Sequence, residues 1–158
     1  MPDLSLARPG RDARQRLHVT FRPRRARLVA YPVAVAVLVT MVLVALTLPG
    51  RLGWGDRAGF LLVGLTIAWF LYRQASVRAV PGEAGLVVRN LFLGRTLEWA
   101  EIVDVRFGGG RPWAQLDLSD GDTLAVMAIQ RADGASADAE ARRLATLVAL
   151  HSQTERDD

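Results

Sequence analysis

The chain contains no cysteine, which excludes disulfide frameworks, cysteine-ligated zinc, iron–sulfur clusters and thiol nucleophiles. It contains no lysine either: all 20 basic residues are arginine. With the abundance of Ala, Val, Leu and Gly, this reads as the coding bias of a GC-rich genome and carries no functional signal. Histidine is scarce as well, with two residues. His18 lies in an arginine-rich stretch and His151 near the other terminus, so neither has a partner at a spacing that suits a metal site or a catalytic triad. Both are expected to be solvated. At 158 residues there is room for about one domain, so whatever folds in water is small.

Charge is present but unevenly placed. Residues 1–27 carry eight Arg against Asp3 and Asp12, residues 28–72 carry Arg51 and Arg57 against Asp56, and residues 73–158 carry ten Arg against thirteen carboxylates. The three stretches therefore stand at +6, +1 and −3, which returns the overall +4. A basic arm beside an acidic domain suits a membrane surface better than nucleic acid, which would need the positive charge on the folded domain. No nucleic-acid partner is expected.

Long apolar runs dominate the first half. Residues 28–48 read LVAYPVAVAVLVTMVLVALTL without a charge, about 30 Å of helix, which matches the hydrocarbon core of a bilayer. Pro32 is expected in the first turn of this helix, and Pro49 with Gly50 forms a stop signal after it. A second apolar run, AGFLLVGLTIAWFLY, lies between Arg57 and Arg73. It is short for a span but crosses if both arginines snorkel and Trp54, Trp69 and Tyr72 sit at the interfaces. The two runs predict a transmembrane helical hairpin over residues 28–72, with helices at 28–48 and about 55–72. The excess of arginine before the first run and Arg73 and Arg78 after the second place both termini in the cytoplasm of a multi-pass protein of the cell membrane. No A-x-A-like site closes the first run, so it is read as a retained anchor. Residues 1–27 are expected to be a disordered basic cytoplasmic arm, and 152–158 a disordered tail.

From residue 76 the pattern changes to short runs of period two separated by turn residues, the signature of antiparallel strands. Six strands are predicted, at 76–80, 85–90, 95–99, 102–107, 113–118 and 123–128. Val103, Val105 and Phe107 alternate with Asp104 and Arg106, and Ala114, Leu116 and Leu118 with Gln115 and Asp117, giving each strand one buried and one wet face. Asp120 and Gly121 mark a hairpin turn. A helix follows from a cap at Ser136 to about His151, with Ala137, Ala141, Leu144, Leu147, Val148 and Leu150 on its apolar stripe and Arg131, Arg142 and Arg143 facing water.

The segment VPGEAGLVVRNLFLGRTLEWAEIVDVRFGGGRPWAQLDLSDGDTLAVMAIQRADG, set after two spans and before a short helix, resembles the bacterial PH-like domain of actinobacterial membrane proteins, notably the low molecular weight protein antigen 6 family. The resemblance covers about residues 70–151, most clearly in GLVVRN from Gly85, LEWAEI from Leu97 and residues 113–128. It implies an α+β, mostly β, PH-type fold over residues 73–151: two curled antiparallel sheets or a small barrel closed by a C-terminal helix. Seven strands are usual for such a fold, one more than the six read from the pattern.

No constellation for catalysis, metal or cofactor stands out. Asp117, Asp120 and Asp122 do not have the spacing of a calcium loop and are explained by the hairpin turn. Gly108, Gly109, Gly110 and Arg111 lack the lysine and following helix of a phosphate cradle. Glu98 and Glu101 flank Trp99 as surface carboxylates. The expected function is a membrane-anchored interaction module that binds a protein partner or a lipid headgroup at the inner face of the cytoplasmic membrane, without catalysis. A structural subunit of a larger membrane enzyme or transport complex is the alternative. Arg78, Arg89 and Arg95 are the candidate contacts for an anionic headgroup. Other partners expected are the bilayer itself and an unidentified membrane or cytoplasmic protein, with no small-molecule ligand.

Overall fold

A computed structural model describes residues 17–47 and 53–154, with side chains as far as residue 152. The stop signal at Pro49 and Gly50, residues 1–16 of the arm and residues 155–158 of the tail lie outside the described residues. Two compact units are present: Pro23–Val77, and a second made of the chain up to Arg22 together with Arg78–Asp158. The helical unit is therefore an insertion within the chain of the other.

The helical unit holds α1 (Arg24–Thr47) and α2 (Trp54–Ala75), both long and apolar enough to cross a membrane. Helix α1 starts four residues before the expected position, which moves Pro32 from the first turn to the interior. There its ring removes the N–H that would bond Leu28, a loss a helix tolerates at one position when its neighbours hold it. Glycine and alanine mark the seam between the helices. Alanines at 30, 34 and 45 are the buried residues of α1, and a Cβ on Gly64 of α2 would stand 2.9 Å from the Cβ and Cγ of Met41. Small residues at this seam let the two backbones approach closely. Asp56 caps α2 by accepting the Gly53 N–H at 3.0 Å. The hydroxyls of Thr47 and Thr66 donate to the carbonyls four residues back, Leu43 and Leu62, at 2.7 and 2.8 Å, so neither presents an open polar group.

The second unit contains β1 (Arg78–Pro81), β2 (Gly85–Arg89), β3 (Gly94–Glu98), β4 (Ile102–Arg106), β5 (Trp113–Leu118), β6 (Thr123–Gln130) and α3 (Ala135–Thr154). The strands form two antiparallel sheets, in the orders β1-β2-β3 and β4-β5-β6. Leu86, Val88, Leu97, Leu116, Val126 and Ile129 point between them, and α3 adds Ala137, Ala141, Leu144, Leu147 and Val148 to the same core. Gly85 is required where β2 meets β3: a Cβ there would lie 2.0 Å from the Leu97 carbonyl oxygen. Asp120 and Gly121 make the expected turn, with Gly121 at φ +88.

Five expectations are corrected. Val103 is not on the buried face: Ile102 is buried, the register shifts between Ile102 and Asp104, and Val103 is 65% exposed. A bulge of this kind inserts one unpaired residue and breaks the period of two. The strip of residues 17–22 is not a free arm, because Phe21 is buried and pairs with Ala79, each accepting the other's N–H at 2.8 and 3.1 Å. This bridge beside β1 is the nearest counterpart of a seventh strand, and the helical insertion separates it from its partner. Arg143 does not face water but stacks on Phe21, its guanidinium carbon 3.9 Å from the ring centroid, and pairs with Glu140. Leu150 stays 45% exposed, and α3 runs on to Thr154 through three residues of the expected tail.

Candidate functional site

Of the three arginines expected at an anionic ligand, the structure unites two and diverts the third. Arg78 and Arg89 are direct partners in the β1-β2 ladder, both exposed and both on the outer face of the first sheet. Opposite residues of such a pair have Cβ atoms roughly 5 Å apart, and like charges there are unfavourable. Arg95 pairs with Val88 and so projects to the opposite face. It forms ion pairs with Asp120 at 3.1 Å and Asp122 at 3.8 Å. The Asp122 N–H that donates to Asp120, followed by the Arg95 guanidinium, holds the Asp120 carboxyl below its ordinary range. The three aspartates thus serve a turn and its ion pairs, as Asp117 pairs with Arg106 on the neighbouring strand.

A third arginine, which the sequence pattern did not single out, joins the outer pair. Because Phe21 pairs antiparallel with Ala79, the next residue, Arg22, comes alongside Arg78. Arg22, Arg78 and Arg89 form a row across one end of the sheet, all exposed. None of the three has an ion-pair partner among the described residues. At the same end β2 turns into β3 through Asn90, Leu91, Phe92 and Leu93, closed by the Asn90 N–H donating to Leu93 O at 2.8 Å. Phe92 and Leu93 are 67% and 76% exposed.

Asn90 fixes this turn. Its side-chain amide donates to Ala125 O at 2.7 Å, and its carbonyl accepts the Met127 N–H at 3.1 Å. The side chain thereby acts as a strand partner for β6 and stitches one sheet to the other.

The two histidines are not solvated as expected. His151 stacks on Trp99, with centroids 4.5 Å apart and planes 15° from parallel, and His18 meets His151 edge-on at 6.0 Å. Trp99 donates its Nε1–H to Gly82 O at 3.1 Å. The cluster ties the residues before α1 to the end of α3, and no group of three His, Cys, Asp or Glu side chains is placed to hold a metal among the described residues. Glu101 is a cap whose carboxylate accepts the Glu98 N–H at 2.7 Å. In the glycine loop, Gly108, Gly109 and Gly110 all have positive φ, and the Arg111 N–H turns back to Gly108 O at 3.2 Å. A groove between β4, at an edge of the second sheet, and α3 is lined by Val103, Asp104, Val105, Ala145, Val148, Ala149 and Ser152.

Two antiparallel sheets closed by a terminal helix define a domain of the PH type. The Bacterial PH domain model matches residues 76–146. Proteins of Mycobacterium tuberculosis and Mycobacterium bovis, both named as uncharacterized, are 38% identical to the chain over 120 residues, covering 73% of it and 78% of their own length. The chain belongs to this bacterial PH domain family. No solved structure matches it significantly.

Proposed function

We infer that the protein is a membrane-anchored, non-catalytic interaction module. Its helices α1 and α2 cross the cytoplasmic membrane as a hairpin, both termini are cytoplasmic, and the PH-like domain binds a protein partner or lipid headgroup at the inner face. The supporting observation is the exposure of the helices. Nine large apolar or aromatic side chains on each stand open, Leu28 at 76%, Leu46 at 68% and Leu62 at 66% among them. At about 1 kcal/mol for each half-buried side chain left in water, the total is on the order of 10–20 kcal/mol, as large as the whole stability of a typical domain. A core helix of a soluble protein shows the reverse pattern, and a bilayer removes the cost.

Charge and aromatic placement agree. Arg24, Arg25 and Arg27 crowd the first turn of α1, where the helix dipole disfavours cations but the positive-inside rule favours them. The guanidinium of Arg27 lies 5.9 Å from the Tyr31 ring, and that of Arg73 5.9 Å from the Trp69 ring. Both pairs stand at the hairpin end bearing the chain's entry and exit, as interfacial anchors do.

The test is fractionation followed by capture. Membranes carrying the full chain are washed with alkaline carbonate, and the washed pellet is crosslinked from the PH-like domain. Retention in the pellet with a discrete crosslinked protein or lipid is expected. Release into the wash contradicts the anchor, and retention without any crosslinked species contradicts the interaction role.

A further inference from the structure

We propose that Arg22, Arg78 and Arg89, with Phe92 and Leu93, form a docking surface for the anionic phospholipid face of the bilayer, which holds the PH-like domain flat against the membrane that anchors it. The inference rests on the membrane-anchored reading and names the ligand of this one face.

The first support is the chemistry of the row. Three arginines on adjacent strands repel one another, and each strand pairing would be stronger with a neutral or acidic residue at one of the positions. No described carboxylate neutralises them on that face. Glu98 shares the outer face but lies at the other end of β3, opposite Gly85. Asp120 and Asp122 approach the same end from the inner side, and Arg95 occupies both. The end of the sheet therefore keeps an excess of positive charge although the stretch from residue 73 onward is acidic.

The second support is the apolar tip. Phe92 and Leu93 are among the most exposed large apolar side chains of the domain, on a tight turn whose conformation Asn90 locks from behind. Aromatic and leucine side chains beside arginines are the composition that lies in a headgroup layer, with rings below the phosphates and guanidinium groups among them. A soluble anion such as free phosphate would use the arginines and leave the apolar tip without a role.

The third support is connectivity. Arg22 stands two residues before the first residue of α1, and Arg78 three residues after the last residue of α2. Two of the three arginines are thus the points at which the chain leaves the domain for the helices and returns to it.

The absence of cysteine makes a direct test simple, since Leu93→Cys provides a unique labelling site. The full chain bearing a nitroxide at position 93 is placed in nanodiscs of phosphatidylcholine alone, or with phosphatidylglycerol mixed in. Collisions of the label with oxygen, which partitions into lipid, are compared with those with a water-soluble nickel chelate. The expected result is a lipid-facing label only in the anionic discs. At about 1 kcal/mol per arginine near such a surface, each Arg→Gln change in the row lowers the docked-to-free ratio about fivefold. The triple Arg111→Gln, Arg131→Gln, Arg142→Gln, which alters net charge equally elsewhere, leaves it unchanged. A label that collides with nickel equally in both discs overturns the proposal while the anchored chain stands, as does a loss of docking in the control triple equal to that of Arg22→Gln, Arg78→Gln and Arg89→Gln combined. A chain that fails to enter either disc overturns the anchor reading, and this one with it.

Discussion

The helical hairpin and the PH-like domain are built from the same few apolar residue types and place them in opposite senses. In the domain the large side chains are inside: Leu86, Leu97, Leu116, Leu144 and Leu147 are fully buried. In the hairpin the leucines at 28, 43, 46, 62 and 65 are outside, while alanine and glycine occupy the seam. Water drives large apolar groups together and leaves polar atoms outside. A lipid solvent offers no such drive, so close backbone approach decides which residues face each other. On the proposed membrane-anchored reading, each region carries, in its size sorting, the identity of its own solvent.

The largest effect expected from this contrast separates two leucines. Leu97→Ala should destabilise the domain by about 2–5 kcal/mol through lost burial and a cavity, and Leu62→Ala, on the open face of α2, by well under about 1 kcal/mol. Urea unfolding of the full chain in detergent measures the first through the fluorescence of Trp99 and Trp113 with Trp54 and Trp69 replaced by Phe, and far-UV circular dichroism of the helices measures the second. Equal losses would dissolve the comparison. Next comes Asn90→Ala, which leaves the Ala125 carbonyl and the Met127 N–H without the partners they now have. A cost of about 1–3 kcal/mol is expected, with faster hydrogen exchange at Met127. In Asn90→Asp the exchange at Met127 should be largely preserved, because the acceptor to that amide survives.

A third change probes the seam of the hairpin. Gly64→Val forces a branched side chain against Met41 and should loosen the helix pair by about 1–3 kcal/mol, seen as faster proteolysis of the hairpin in detergent. Gly59→Val on the same helix, where a Cβ meets nothing within 4 Å, is the matched control. The smallest effect concerns acid. The folded state holds the Asp120 carboxyl below its ordinary 3.8, so the turn's contribution is present above that value and is lost as the pH falls through the lowered one. Asp120→Asn should flatten this part of the acid-unfolding curve and leave the neutral region nearly unchanged.

The strands and the last helix were legible almost residue by residue, because period two and turn residues such as Asp120 and Gly121 report local geometry. The failures share one physical origin, contacts made across long stretches of chain. Leu17, Val19 and Phe21 alternate with His18 and Thr20 inside an arginine-rich stretch, too short a run to reveal that Phe21 pairs with Ala79 across an inserted hairpin. His18 and His151 meet only because the strip at residues 17–22 and the last turns of α3 lie on the same side of the domain. Arg143 reads as a solvent-facing residue from its helix position, and only the ring of Phe21 beneath it changes that. Val103 was misread for a different reason, since a bulge alters the period without any residue signal of its own. Of the three candidate arginines, Arg78 and Arg89 are ladder partners on one face, Arg95 is held by aspartates of a distant turn, and Arg22 could be found only through the bridge at Phe21.

The central claim, an anchor that crosses the membrane and holds the PH-like domain on its inner side, is tested most directly by cysteine accessibility in intact cells. Trp54→Cys, at the hairpin link where the native side chain is 89% exposed, and Asp138→Cys, on the exposed side of α3, are each introduced into the otherwise cysteine-free chain. A membrane-impermeant maleimide should label position 54 in intact cells and position 138 only after the cells are permeabilised. Labelling of position 138 in intact cells, or of neither position until permeabilisation, would contradict it.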